Sequence, residues 1–253
     1  MNGIKKEWLI FKHAIVFFTR ISLKTSFHYH ADDASKAIRY LPFIGGIAGI
    51  WAALVFSLCM LIFPMEIAVF LSMLSTILLT GALHEDGFAD FCDSLGGMTV
   101  EKRLAIMKDS NMGAYGVIGL MGILLGKYLF LVHIPAAHLP AVLISAHVMS
   151  RLSIMFLMLF LPYVGKKESS KSLTLVDNNH TINVCIACVI TGLFVSGLPF
   201  YSLFSIPIIT LVIVCLFQFY KKSLGGYTGD YLGAAQQLTE LAHYLSMVYY
   251  LSL

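Results

Sequence analysis

The chain reads as an all-α, polytopic integral membrane protein of about six or seven transmembrane helices, and three observations say so. Of its 253 residues, 58% are hydrophobic and 12% charged, where a soluble domain is nearer half apolar and about a quarter charged. Mean hydropathy is +0.82, and the apolar residues gather in runs near the ~20 needed to cross a hydrocarbon core about 30 Å thick. Most lysines and arginines fall in alternate connections between those runs.

Taken in order, residues 8–23 are apolar but carry Lys12, His13 and Arg20, which suits an amphipathic helix in the interface as well as a span. Residues 41–63 are uncharged and form the first clear span. A turn at Phe63-Pro64-Met65-Glu66 returns the chain through 67–83. A polar region follows from His84 to about Met112. Residues 113–133, interrupted by Lys127, and 141–162, with Arg151 near the middle, are the next two spans. After a polar loop at 163–181 come 182–200 and 203–219, and the Gly-rich "KKSLGGYTGD" leads into a final helix at 231–253. That helix carries Gln236, Glu240 and His243 at helical spacing, so it either spans with a polar face inward or rests on the surface. There is no repeat and no soluble insertion, so 1–253 is one membrane-embedded domain.

The loops 24–40, 84–112, 163–181 and 220–230 hold Lys24, Lys36, Arg39, Lys102, Arg103, Lys108, Lys166, Lys167, Lys171, Lys221 and Lys222. The turns at 64–66, 134–140 and 200–202 hold neither lysine nor arginine. The positive-inside rule therefore places the polar loops in the cytoplasm. Residues 1–24 are not expected to be a cleavable signal, since charges run through their apolar stretch and they lack a small-residue cleavage site. Four of the five cysteines lie in apolar runs, and the Cys185–Cys188 pair has no further soft ligands beside it, so neither a disulfide framework nor a metal site is expected. No basic-aromatic array points to nucleic acid.

The chemistry concentrates in "LLTGALHEDGFADFCDSLGG", where the end of a span runs directly into Glu85, Asp86, Asp90 and Asp93. Asp86, Asp90 and Asp93 are spaced i, i+4, i+7 and fall on one helical face. Like charges at that spacing repel, and a hard divalent cation, held by carboxylates and substrate phosphates, relieves the repulsion. Gly87 and Ala89 beside the stripe leave room for a ligand. "EKRLAIMKDSNMGAYG" adds Arg103, Lys108 and Asp109 on the same side, ahead of a helix N-terminus able to take an anion. "GGYTGDYLGA" adds Thr228 and Asp230 in a second Gly-rich turn before a helix. Arg151 is too deep to snorkel and calls for an anion or carboxylate inside the bundle.

Together these stretches, with "FFTRISL" and "YLPFIGGIAG" before them, resemble cobalamin (5′-phosphate) synthase, or adenosylcobinamide-GDP ribazoletransferase, from about Phe17 to Glu240. The His-x-Asp-Gly-x-Ala-Asp-x-x-Asp and Met-Lys-Asp-Ser-x-x-Gly blocks carry the likeness jointly. Glu85 departs from it by adding an acid where a leucine is expected. The resemblance implies a multipass inner-membrane, Mg²⁺-dependent enzyme that joins adenosylcobinamide-GDP to α-ribazole or its 5′-phosphate and releases GMP. It implies Asp86, Asp90, Asp93 and Asp230 as metal ligands, and Asp86, Asp90, Asp109 and His84 as catalytic groups. Arg103, Lys108, Ser110, Arg151 and Thr228 would meet phosphate. Its partners are the two substrates and membrane lipid, without nucleic acid, and a homo-oligomer is compatible with it.

Asp-Gly-x-Ala is also similar to the CDP-alcohol phosphotransferases, but Asp90 stands where arginine would follow and the downstream Gly-x-x-x-Asp-x-x-x-Asp is missing. A cation transporter is the other alternative. It would show mirrored halves and acids near the midplane, and this chain shows neither.

Overall fold

The computed structural model describes residues 3–23, 36–165 and 180–251. Lys24, Lys166, Lys167 and Lys171 of the basic loops lie outside them. Among the described residues ten α-helices follow one another: α1 Gly3–Phe18, α2 Leu41–Cys59, α3 Met65–Thr80, α4 Leu83–Ser94, α5 Val100–Ile106, α6 Ala114–Val132, α7 Leu139–Phe160, α8 His180–Ser196, α9 Ile206–Ser223 and α10 Gly229–Leu251. Short 3₁₀ turns at Ala37–Tyr40 and Phe200–Ser205 lead into α2 and α9. No strand occurs among the described residues; a single bridge joins Tyr163 to Tyr227.

Four helical stretches are long and apolar enough to cross a membrane: Ala37–Cys59, Ala114–Val132, Leu139–Phe160 and Phe200–Ser223. The pair α3 and α4 makes a fifth if counted as one broken span. The remaining helices expected to cross differ for identifiable reasons. Helix α8 is apolar but has 17 residues, and α10 has 23 residues but a polar composition.

That polarity is turned inward. Gln236, Gln237, Glu240 and His243 of α10 are all buried, because α10 runs through the centre of the bundle against α4, α6, α7 and α9. Both ring nitrogens of His243 are engaged, by Ser145 at 2.9 Å and Ser205 at 2.7 Å. Meanwhile Trp51, Leu58, Ile118, Met121, Val189 and Leu211 stand exposed on the outer helix faces. Polar groups inside and large apolar ones outside are what a bilayer selects, since lipid rewards apolar exposure and punishes an unpaired polar group. Helices α2 and α7 pack closely, a Cβ at Gly49 falling 2.6 Å from Ile144 Cα, the small-residue contact of membrane helices.

Between α3 and α4 the chain turns through 89°. Gly81 (φ 66°) and Ala82 (φ 57°) are both left-handed, and the amides of Gly81 and Ala82 cap the end of α3 on Leu78 and Ile77 carbonyls. Glycine takes this conformation freely; at Ala82 it costs about 1–2 kcal/mol. The acidic helix thus leaves the direction of α3 and crosses α10.

Candidate active site

At the end of the bundle where α7 finishes and α10 begins lies a cavity of about 840 Å³. The first turn of α4 contributes His84 and Asp86, α5 and its exit contribute Glu101, Leu104, Ala105, Met107 and Lys108, and the N-terminus of α10 contributes Thr228, Gly229 and Asp230. Tyr163 and Val164 close one side, held against the α10 entry by Val164 N donating to Tyr227 O and Tyr227 N donating to Pro162 O, both 2.9 Å. Five expected site residues therefore meet here: His84, Asp86, Lys108, Thr228 and Asp230.

The two acid-bearing helices touch through glycine. A Cβ on Gly87 would stand 3.1 Å from Asp230 Cα, and one on Gly233 would stand 3.2 Å from the His84 carbonyl. The room beside the acidic stripe, expected to admit a ligand, is filled by α10; Ala89 is likewise fully buried. The missing atoms set how near Asp86 comes to Asp230. Gly87→Ala should fold, because alanine favours helix by about 1 kcal/mol, yet lose activity by about tenfold or more as the carboxylates separate. Turnover by purified variant with an unchanged elution profile checks this.

Asp86, Asp90 and Asp93 do share α4, but not one destination. Asp86 is exposed to the cavity. Asp90 is half-buried beside it, feeling the charges of Asp230, Asp86 and Asp93, without lining the cavity. Asp93 instead accepts from Gly113 N at 2.7 Å and Gly116 N at 2.8 Å. Its carboxylate satisfies free amides at the α6 N-terminus, where negative charge is favoured by the helix dipole. Both oxygens are taken, which is a different task from the metal role expected of it.

The basic and polar groups sort the same way. Lys108 is exposed toward the cavity. Arg103 projects from the other side of α5, its Nε donating to Gly97 O at 2.8 Å, so it fastens the α4–α5 connection. Asp109 is exposed and accepts from the backbone and side chain of Asn111, at 3.0 and 2.7 Å. Those hydrogen bonds hold its carboxyl below the usual carboxylate range, which stabilises the anion. Neither Asp109 nor the exposed Ser110 lines the cavity. Thr228 Oγ1 caps α10 by accepting from Tyr231 N at 3.3 Å.

Arg151 lies deeper, 2% exposed, and away from the cavity. It has the carboxylate surroundings expected of it: Glu240 and Glu85 act on it electrostatically, and its guanidinium donates to the His147 carbonyl at 3.0 Å. Lys127 does not snorkel. Its Nζ donates to Gln237 Oε1 and to Glu240 Oε1, the latter at 3.0 Å. Gln237 Nε2 passes the network on to Glu85 Oε1 at 2.9 Å. Glu85, the acid that stands where a leucine was expected, thus ties the start of α4 into a buried cluster of Lys127, Glu240, His147 and Arg151. His84, 6% exposed, borders both this cluster and the cavity.

No lysine or arginine among the described residues pairs with Asp86, Asp90 or Asp230. Unpaired, mutually repelling carboxylates are the donor set of a hard cation. Yet no group of three His, Cys, Asp or Glu side chains among the described residues stands close enough to ligate a metal alone. Asp86 and Asp230 are two carboxylates that could share a cation here, its other ligand positions being left to groups outside this set.

Glu101, Leu104, Ala105 and Tyr163 line the cavity without having been expected to. For the first three the signal was present: with Lys108 they follow i, i+3, i+4, i+7, one face of α5 that excludes Arg103. Tyr163 follows a span end, where nothing in the pattern singles it out.

A family model described as cobalamin-5-phosphate synthase matches residues 10–248. A Vibrio parahaemolyticus protein named adenosylcobinamide-GDP ribazoletransferase is 40% identical over 257 residues, covering 97% of this chain and 94% of the relative. Proteins of the same name from Shewanella frigidimarina (39% over 252 residues, 94% and 95% covered) and Vibrio cholerae (39% over 248 residues, 96% and 94% covered) are similarly close. No solved structure matches the chain.

Proposed function

Since the chain belongs to the cobalamin-5-phosphate synthase family, we propose that the cavity is where it transfers the adenosylcobinamide-phosphate group of adenosylcobinamide-GDP to α-ribazole or its 5′-phosphate. The ribose hydroxyl oxygen forms a bond to the phosphorus that carries cobinamide. The bond from that phosphorus to the bridging oxygen breaks, and GMP leaves with the electron pair. The hydroxyl proton passes to a base of the protein. In such substitutions positioning and charge neutralisation supply most of the rate.

The observation that carries this reading is the convergence of Asp86, Asp230 and Lys108 on one cavity. Asp86 and Asp230 hold Mg²⁺, and Asp90 adds negative charge behind them. When bound, Mg²⁺ offsets the charge of the diphosphate and of the leaving phosphate. Lys108 and the backbone amides opening α10 bind phosphate oxygens. His84, whose ring no described residue hydrogen-bonds, borders the cavity and takes the hydroxyl proton. Asp93 and Arg103 act at one remove, by fixing the two ends of the α4–α6 connection. The positive-inside pattern supports a cytoplasmic cavity in the inner membrane.

Purified protein given adenosylcobinamide-GDP, α-ribazole and Mg²⁺ should release GMP and form a cobamide in equal amounts, and lose both activities with EDTA. Absence of product from folded protein overturns the reaction; full activity in EDTA overturns the metal.

A further inference from the structure

The catalytic groups occupy only part of the cavity. The rest of its wall is apolar: Phe17 and Phe18 from α1, Leu104 and Ala105 from α5, Met107 beyond it, and Ile154 from α7. Phe17 and Phe18 present rings edge to face, centroids 4.7 Å apart. Tyr163, which lines the same cavity, is set edge to face on Tyr227 at 5.6 Å. A cavity of about 840 Å³ is of the size that encloses a drug-sized ligand, about 300–1,000 Å³.

Resting on the reaction proposed above, we infer that this apolar wall is the subsite for the base of the acceptor, and that Leu104 and Ala105 set which base is accepted. Three ring systems compete for the space. The corrin macrocycle, with its fringe of amides and its adenosyl group, is far larger than a drug-sized ligand and stays at the mouth. Guanine carries donors and acceptors around its edge that an apolar wall leaves unmatched. The one acid on this side, Glu101, is already engaged by its own amide and Thr99. Dimethylbenzimidazole, the base of α-ribazole, has a flat apolar body, two methyl groups and no donor on its ring. It matches the wall in shape and polarity, and its ribose then reaches the diphosphate held at Asp86, Asp230 and Lys108.

The side of the wall that can be changed without harming the core is α5, which has no buried residue of its own. Ala105 is exposed to the cavity, and Leu104 is half-buried and only borders the core, so both tolerate substitution. Ala105→Phe fills the subsite, and Leu104→Ala enlarges it. Steady-state kinetics with α-ribazole and with the riboside of unmethylated benzimidazole read the outcome.

For Ala105→Phe, KM for α-ribazole should rise about tenfold or more, since a single methylene in an apolar pocket is worth about 10–200-fold. KM for adenosylcobinamide-GDP should not move, and preference should swing toward the unmethylated riboside. Leu104→Ala should weaken both acceptors and lessen discrimination between them. A rise in the donor KM instead assigns the wall to guanine and overturns the subsite, as does an unchanged acceptor KM in both variants. Equilibrium binding of α-ribazole alone to detergent-purified protein separates this from the reaction itself. If the wild type binds α-ribazole and Ala105→Phe weakens that binding while no cobamide is ever formed, the reaction falls and the subsite stands.

Discussion

Replacing Lys127 with methionine should destabilise the bundle by about 3–5 kcal/mol, the usual consequence of removing one partner of a buried ion pair. Lys127 and Glu240 are 4% exposed each and 3.0 Å apart, between α6 and α10. The variant leaves the Glu240 carboxylate with hydrogen bonds from Gln236 and from Tyr244 (3.1 Å) but without the cation in contact with it, Arg151 acting only from farther off. Hydrogen bonds alone stabilise a buried anion incompletely. Because Gln237 also links this pair to Glu85, the disturbance should reach α4, and with it Asp86. Unfolding by SDS or heat in mild detergent measures the loss. Pairing Lys127→Met with Glu240→Leu removes both charges and should recover much of the stability. If the single variant is as stable as the wild type, the pair contributes nothing to the fold.

Asp86→Asn should reduce turnover on the order of a hundredfold or more, comparable to losing one dedicated electrostatic group at a transition state, while leaving the fold intact. Asp86 is exposed and has no cation partner among the described residues, so its removal breaks no structural contact and relieves repulsion with Asp230 and Asp90. The variant should be as stable as the wild type or more so. The contrast with Asp93→Asn is informative. Asp93 is bound to two backbone amides, so that change should lower stability along with activity. Excess Mg²⁺ should partly restore Asp86→Asn if it weakens metal affinity. Wild-type rates at limiting Mg²⁺ would remove Asp86 from the metal site.

The architecture was legible because a bilayer imposes coarse rules: apolar runs of fixed length, and polar loops carrying the basic charge. The helical stripe of Asp86, Asp90 and Asp93 was legible too, since i, i+4, i+7 spacing fixes a face. What the spacing could not reveal is that a face some 60° wide meets two neighbours. One side opens on the cavity at Asp86, and the other ends against the α6 N-terminus at Asp93. Arg103 and Lys108 looked equivalent as two cations of one loop, but a short helix divides them. Lys127, Arg151 and Glu85 were three separate anomalies in the sequence. Only packing assembles them into one cluster, because Gln237 and Glu240, which join them, lie more than a hundred residues beyond Lys127.

The right-angle turn at Gly81-Ala82 has a bearing on how the protein answers to its lipid. A bilayer thicker or thinner than the spans is met by tilt and by local deformation of the lipid. Had the acids continued along α3, their depth would follow the register of that helix against the acyl chains. Helix α4 takes its position from α6 and α10 instead, so tilt carries acids, cavity and opposing α10 together as one rigid body. Membrane thickness then alters where the reaction centre stands relative to the headgroups, but not the spacing of the groups within it.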